Sequence, residues 1–324
     1  MDIEQASPYA ACRLCPRLCG VNRQDPAGPL GFCREPAQPA LAFAGIHRGE
    51  EPPIAGFGGS GTIFIRGCSL GCLYCQNHQV SRGGLGRPVE GREFSRICLA
   101  LQEKNAENIN LVTGSHAAPA LGAYIAQARR EGLRIPVVWN SSAYEDPEGL
   151  APIKDELDIY LPDLKTLDRE LAARYFGAPD YPDQAVRAIL WMMDERPLRY
   201  DLGHLVSGVI IRHLLIPGHL AQTREVLLWY AEHCRDRALL SLMTQYTPVY
   251  APSSGSDAAE IPDRYVDEGE YGALMLMLEE LGIEEGYCQE LVTGSDWLPD
   301  FKLPNPFSSE LSVPVWHWRE GFIS

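Results

Sequence analysis

The sequence predicts an α/β chain built as a partial (β/α)6 barrel with a Cys-rich N-terminal extension and an extended C-terminal tail. Three observations predict it. From residue 61 onward short β-branched runs alternate with longer helical patterns, the signature of βα units around a parallel sheet. Six such units are legible, too few to close an eight-stranded barrel, so the sheet is expected to stay open as a crescent. On either side the alternation stops, which divides the chain into an extension (1–56), the barrel (57–285) and a wrapping segment (286–324).

Residues 1–56 are rich in Pro and Gly, weakly periodic, and carry Cys12, Cys15, Cys19 and Cys33 in CRLCPRLCGVNR and GFC, as a small metal-pinned extension would. The expected strands are TIFIR (62–66), NINLVT (108–113), IPVVWN (135–140), LDIYL (157–161), GVIIRHLLI (208–216) and ALLSLM (238–243). Helices lie between them. Phe94, Ile97 and Leu101 space as one helix face, as do Val226, Leu227 and Tyr230, and Tyr271, Leu274, Leu278 and Leu281 within 264–282. The last stretch, SDWLPDFKLPNPFSSELSVPVWHW, has four prolines and three tryptophans without a period. It reads as an extended segment around the core, its aromatics either packing there or covering a site.

Composition narrows the function classes. A hydrophobic content of 45% suits a folded protein of 324 residues. A net charge of -15, with no stretch that gathers Lys and Arg, excludes a phosphate-tracking nucleic-acid surface. No leader pattern and no window of ~18 apolar residues occurs, so a cytoplasmic protein without a membrane partner is expected. Ten cysteines are too sparse for a disulfide scaffold, and seven cluster at metal-ligand spacings. Cys98, Cys234 and Cys288 stand apart and read as buried, inert thiols.

The chemistry concentrates in GCSLGCLYCQNH, where Cys68, Cys72 and Cys75 fall at C-x3-C-x2-C after an expected strand. Three thiolates are one short of a closed site. A [4Fe-4S] cluster so held leaves one iron free to chelate a small molecule, and chelation of S-adenosylmethionine (SAM) would set its sulfonium against the cluster. A zinc site completed by His78, or three unrelated core cysteines, are the alternatives.

With Tyr74 as the aromatic before the last cysteine, this stretch resembles the radical SAM superfamily. Further blocks (CRLCPRLCGVNR, HRGEEPPIAGFGGSGTIF, CQNHQVS, NINLVTGSH, DIYLPDLK and IIRHLLIPG) are similar to a PflX-like subfamily related to pyruvate formate-lyase activating enzymes. The resemblance implies a partial barrel, a [4Fe-4S] cluster, SAM, a reductant such as flavodoxin or ferredoxin, and hydrogen abstraction. The substrate is either a glycine of a partner protein, as in the activating enzymes, or a peptide or small molecule. A non-catalytic metal-binding or electron-carrying protein is the reading from another class.

The resemblance also implies site residues. Tyr74 corresponds to the aromatic near the adenine. Thr113, Gly114, Ser115 and His116 stand where the family commonly has GGE, so hydroxyl and backbone groups replace a glutamate there, with His116 either a donor in the pocket or a histidine that caps the turn from behind. Asp163 and Lys165 in LPDLK match a DxK pattern whose lysine reaches the SAM carboxylate, and their spacing of two puts both on one side of a strand. Asn140, with Ser141 and Ser142, ends the third strand. Arg212 in an apolar run needs a partner or a task. Gln245, beside Met243 and Tyr246, ends the sixth strand near adenine or substrate. His213 faces the other way from Arg212 and reads as a histidine satisfied between strand and helix. His47, Glu50 and Glu51 form a polar knot before the barrel, suited to acid/base work, to substrate binding or to bracing a loop. The N-terminal Cys12, Cys15, Cys19 and Cys33 suffice for one closed four-thiolate site, holding zinc or a second [4Fe-4S] cluster.

Overall fold

The computed structural model describes residues 7–249, 261–295 and 297–323. In chain order the elements are β1 (Ala40–His47), α1 (Pro52–Ala55), β2 (Ser60–Ile65), α2 (His78–Ser81), β3 (Arg87–Pro88), α3 (Gly91–Glu103), β4 (Ile109–Val112), α4 (Ala118–Glu131), β5 (Val137–Ser141), α5 (Pro147–Leu150), β6 (Ile159–Pro162), α6 (Arg169–Phe176), α7 (Tyr181–Glu195), β7 (Arg199–Asp201), β8 (His204–Leu214), α8 (Leu220–His233), β9 (Leu239–Met243), α9 (Glu268–Glu280), β10 (Tyr287–Cys288), β11 (Ser312–His317) and β12 (Gly321–Phe322).

Parallel strands covered on both faces read as nearly continuous apolar runs, and the six expected from the sequence are β2, β4, β5, β6, β8 and β9. They lie side by side in that order, all parallel. β10 adds a short parallel edge beyond β9. On the other side β1 pairs antiparallel with β2, and β11 with β1. Among the described residues no ladder joins the two edges, so the sheet stays open. It runs through all three stretches set apart in the sequence, since β1 comes from 1–56 and β10, β11 and β12 from 286–324.

The period of two along each strand divides the side chains between two cores. Trp139, Tyr160, Val209, Ile211, Leu240 and Leu242 point to the helix layer, where α3 adds Phe94, Ile97 and Leu101 and α8 adds Val226, Leu227 and Tyr230. Val138, Ile159, Leu161 and Ile210 point to the inner face and close around Ile54 of α1. That plug matters for function. It anchors the turn just after Glu50 and Glu51, so the chain must deliver this acidic pair to the inner face above it.

The N-terminal turns are pinned by Arg23, which is 3% exposed and donates to Glu35 O (2.8 Å), Pro36 O (2.8 Å) and His116 O (2.6 Å). Glu35 in turn pairs with Arg66 at the end of β2. The extension is thereby fastened to the start of the cysteine loop.

Candidate active site

Directly after β2 the chain enters the loop of Cys68, Cys72 and Cys75. Gly67 has φ +88°, and a Cβ there would stand 2.4 Å from Glu35 Cγ, so only glycine lets the extension close down on this turn. Leu70 N and Gly71 N donate to Cys68 Sγ (3.4 Å each), and Ser81 Oγ lies 3.4 Å from Cys75 Sγ. All three cysteines line one cavity of about 460 Å3. Burial pushes the Cys72 thiol up to about 12, against the pull of Lys165, and raises Cys75 as well, with Cys68 the next cause. Such buried thiols become thiolates when a metal ionises them. Among the described residues no three His, Cys, Asp or Glu side chains stand close enough to enclose a single ion. A cluster, being wider than an ion, holds its thiolates apart, and the donor set fits one.

The inner-face positions at the strand ends bring the other groups to the same cavity. Asn140 follows Val138 on β5, Asp163 follows Leu161 beyond β6, and Arg212 follows Ile210 on β8. Asp163 Oδ2 accepts from Lys165 Nζ (2.7 Å) and Oδ1 from Arg212 Nε (2.7 Å), while Arg212 Nη2 donates to Asn140 Oδ1 (2.5 Å) and Nη1 faces Glu50 Oε2 at 3.7 Å. Burial alone would neutralise these groups. Instead Arg212 and Lys165 together hold Asp163 below its ordinary value, and Lys165 is kept charged against burial by Asp163, with Cys72 and Tyr74 adding to it. Tyr74, 5% exposed, also lines the cavity, its ring 5.8 Å from Tyr175 and 6.0 Å from Tyr246. Gln245 lines it too, with its Oε1 accepting from Gln289 Nε2 (3.0 Å).

The TGSH stretch divides. Thr113, at φ +65°, lines the cavity; Gly114, Ser115 and His116 do not. After Thr113 the backbone winds into a 3-10 turn leading to α4, which carries the next side chains behind the sheet. Ser115 Oγ donates to buried Glu145 (2.7 Å), and a Cβ on Gly114 would meet Trp139 at 2.5 Å. His116, lowered by burial to about 3 and so neutral, bonds through Nε2 to Arg66 O (2.8 Å) and braces the extension. Cys12 is buried, Cys15 and Cys33 half-buried and Cys19 exposed; burial raises Cys15 to about 12, with Cys33, Cys12 and Cys19 all near enough to add to it.

The expected residues leave out three features of the site. Arg17, between Cys15 and Cys19, donates to the carbonyls of Ser69 (2.9 Å) and Leu70 (3.0 Å) inside the cysteine loop and to Phe176 (2.8 Å) and Gly177 (2.7 Å). Trp297 and Phe307 of the tail line the cavity. Gln289 tethers Gln245 from just beyond β10, a two-residue strand that is not among the strands expected from the sequence.

The cysteine loop, Asn140, Asp163, Lys165 and Arg212 lie within the segment 62–228 that matches the Radical SAM superfamily, and Gln245 lies beyond it. The chain belongs to the radical SAM superfamily. An uncharacterized protein of Methanocaldococcus jannaschii is 31% identical over 263 residues, covering 79% of this chain and 70% of its own length. Among solved structures, SuiB of Streptococcus suis bound to its precursor peptide SuiA is similar at 14% identity and TM-score 0.48, over 69% of this chain and 46% of SuiB. The chain thus spans about half the length of SuiB. A radical SAM methyltransferase of Sphaerobacter thermophilus is similar at 14% identity and TM-score 0.48, over 73% of this chain and 68% of that one. Membership of the radical SAM superfamily implies a [4Fe-4S] cluster and SAM. No helix among the described residues is long and apolar enough to cross a membrane.

Proposed function

We propose that this chain is a radical SAM enzyme that abstracts hydrogen from a small molecule or a single side chain enclosed in its cavity. Cys68, Cys72 and Cys75 hold the cluster, Lys165 pairs the SAM carboxylate, and Asn140, Thr113, Tyr74 and Gln245 orient the rest of SAM. Once bound, cluster and SAM supply a 5′-deoxyadenosyl radical on reduction by a cytoplasmic flavodoxin or ferredoxin. Asp163 and Arg212 fix the ammonium of Lys165, and Phe64 and the tail aromatics keep water from the reacting carbon. The N-terminal cysteines hold a second cluster, wider than the single zinc ion that no three of the described side chains stand close enough to enclose, on turns that Arg17 and Arg23 fasten to the barrel.

The observation that carries the reading is that the three thiols, Lys165 and Trp297 of the tail all face one cavity of about 460 Å3, within the ~300–1,000 Å3 usual for small ligands. Tail aromatics among the lining favour a substrate taken into the cavity above a glycine delivered on a partner's loop. Anaerobically reconstituted, reduced protein given SAM is expected to yield 5′-deoxyadenosine. Cys68→Ala, Cys72→Ala and Cys75→Ala each abolish it, and Lys165→Ala raises the Kd for SAM at least about tenfold with iron content unchanged. Deoxyadenosine from any of the cysteine variants would sink the reading. A backbone radical on a co-encoded glycyl-radical protein, seen by electron paramagnetic resonance, would restore the activating-enzyme reading in place of an enclosed substrate.

A further inference from the structure

We infer that the part of the cavity bounded by Glu50, Glu51, Phe64, Trp297 and Phe307 is a binding site for an organic ammonium group carried by the substrate. This rests on the radical SAM reading above and names the substrate class. A succession of ion pairs sets the subsite apart from the SAM-facing lysine, since Lys165 contacts Asp163, Asp163 contacts Arg212, and only Arg212 reaches Glu50.

Charge is unbalanced there. Three carboxylates, of Glu50, Glu51 and Asp163, line the cavity against two cations, Lys165 and Arg212. Both cations are engaged by Asp163, and Arg212 gives its remaining nitrogens to Asn140 and Glu50. Glu51 is left over. It is 8% exposed, its Oε1 accepts from Ser241 Oγ (3.1 Å), and its Oε2 has no hydrogen-bond partner among the described residues. His47 does not supply the missing charge, because burial lowers it to about 4 and it stays neutral, its Nδ1 also unpartnered.

A buried carboxylate oxygen without a donor is costly, and a cation from outside would satisfy it. The surrounding surface suits an organic cation. The Trp297 indole lies against the backbone beside Glu50, since a Cβ on Gly49 would come within 2.7 Å of Trp297 Cζ3. Phe307 stands 4.9 Å from His47 and 5.6 Å from Phe64, ring to ring. Aromatic faces attract a desolvated ammonium through their quadrupole, and a carboxylate pair neutralises it. An anion meets Glu50 and Glu51 with like charge, and a neutral ligand brings no charge to draw Glu51 into its ionised form.

The test uses cluster-loaded protein with SAM bound and n-butylammonium as probe, followed by calorimetry and by quenching of tryptophan fluorescence. Butylammonium is expected to bind, with 1-butanol and valerate at least about tenfold weaker. Glu51→Gln, which keeps the shape and the Ser241 contact, is expected to weaken butylammonium at least about tenfold and leave the Kd for SAM in place; Trp297→Ala is expected to weaken it severalfold and remove the quenching. Equal binding of butanol and butylammonium, a Glu51→Gln variant that loses SAM affinity instead, or displacement of butylammonium by magnesium ion would each overturn the inference. If wild-type protein cleaves SAM yet ignores butylammonium, the ammonium site fails alone; if it takes up butylammonium and never yields deoxyadenosine, the radical SAM reading of the cavity fails alone.

Discussion

Arg212 and His213 are neighbours on β8 whose side chains point to opposite faces of the sheet, and the difference decides their charge. Arg212 meets Asp163 in the cavity and stays ionised. His213 is 2% exposed toward α8, its Nδ1 donating to Leu164 O (2.8 Å) and its Nε2 accepting from Thr223 Oγ1 (3.0 Å), so the neutral ring is fully satisfied. Burial lowers it to about 4, outweighing the bond to Leu164, and Lys165 nearby acts in the same direction. A histidine whose folded value is depressed contributes its full stability above the unfolded value of ~6.5, and loses it as pH falls from there through the folded value. Between about pH 7.5 and about pH 5 that is roughly 2 kcal/mol. His47 and His116, also lowered by burial, act alike, while Glu51 and Glu145, raised by burial, act oppositely. The difference between wild type and His213→Gln isolates one group: urea unfolding at the two pH values is expected to show the variant losing about 2 kcal/mol less. Parallel losses in both proteins would mean that His213 is not the group that titrates.

At the scale of elements, the cysteine loop has no helix or strand of its own to hold it and is held by the extension instead. The Arg17 guanidinium takes the carbonyls of Ser69, Leu70, Phe176 and Gly177 and lies 3.7 Å over the Phe32 ring. Hydrogen bonds from a charged donor contribute about 1.5–3 kcal/mol each before shared losses, so Arg17→Ala is expected to destabilise the loop by on the order of 2–4 kcal/mol. Hydrogen exchange at Leu70 and Gly71 is the measurement, expected to accelerate in Arg17→Ala and recover partly in Arg17→Lys. Unchanged exchange would show the loop to be held by its own turns. Nothing local in CRLCPRLC signals this contact, because its partners lie 52–160 residues away. The six parallel strands were legible for the opposite reason: burial on both faces writes itself into each run. β1 and β11 were not, since LAFAGIH sits in a Pro- and Gly-rich stretch and β11 carries Pro314, tolerated opposite Gly45 where the ladder shifts register. In the site, the C-x3-C-x2-C and DLK spacings set the positions of side chains directly. In TGSH one residue with positive φ, Thr113, turns the chain so that its three followers leave the cavity, and such a turn has no signature in residue type.

At the scale of the molecule, the question is whether the tail is a detachable wrapping or part of the barrel's own core. β11 extends the sheet along β1 over the pairs from Phe43 with His317 to His47 with Ser312, and the tail also sends Trp297 and Phe307 to the cavity. Its firmest anchor is Trp316, which is fully buried among the helix-layer side chains, donates from Nε1 to Glu93 of α3 (3.0 Å), and carries the Arg87 guanidinium 4.8 Å over its ring. Truncating a buried tryptophan costs about 3–5 kcal/mol through lost burial and the space left behind. A detachable tail would absorb that loss locally, loosening while the barrel melted as before. A tail that shares the barrel's core passes the loss to the whole. Trp316→Ala is therefore expected to lower the single thermal transition of the molecule, followed together by circular dichroism and by tryptophan fluorescence, and not to split off an early one. It leaves the cavity lining untouched, so the variant below its transition is expected to bind SAM like wild type. An early fluorescence change ahead of an unshifted loss of secondary structure would show that residues 286–324 fold on the barrel as a separate segment.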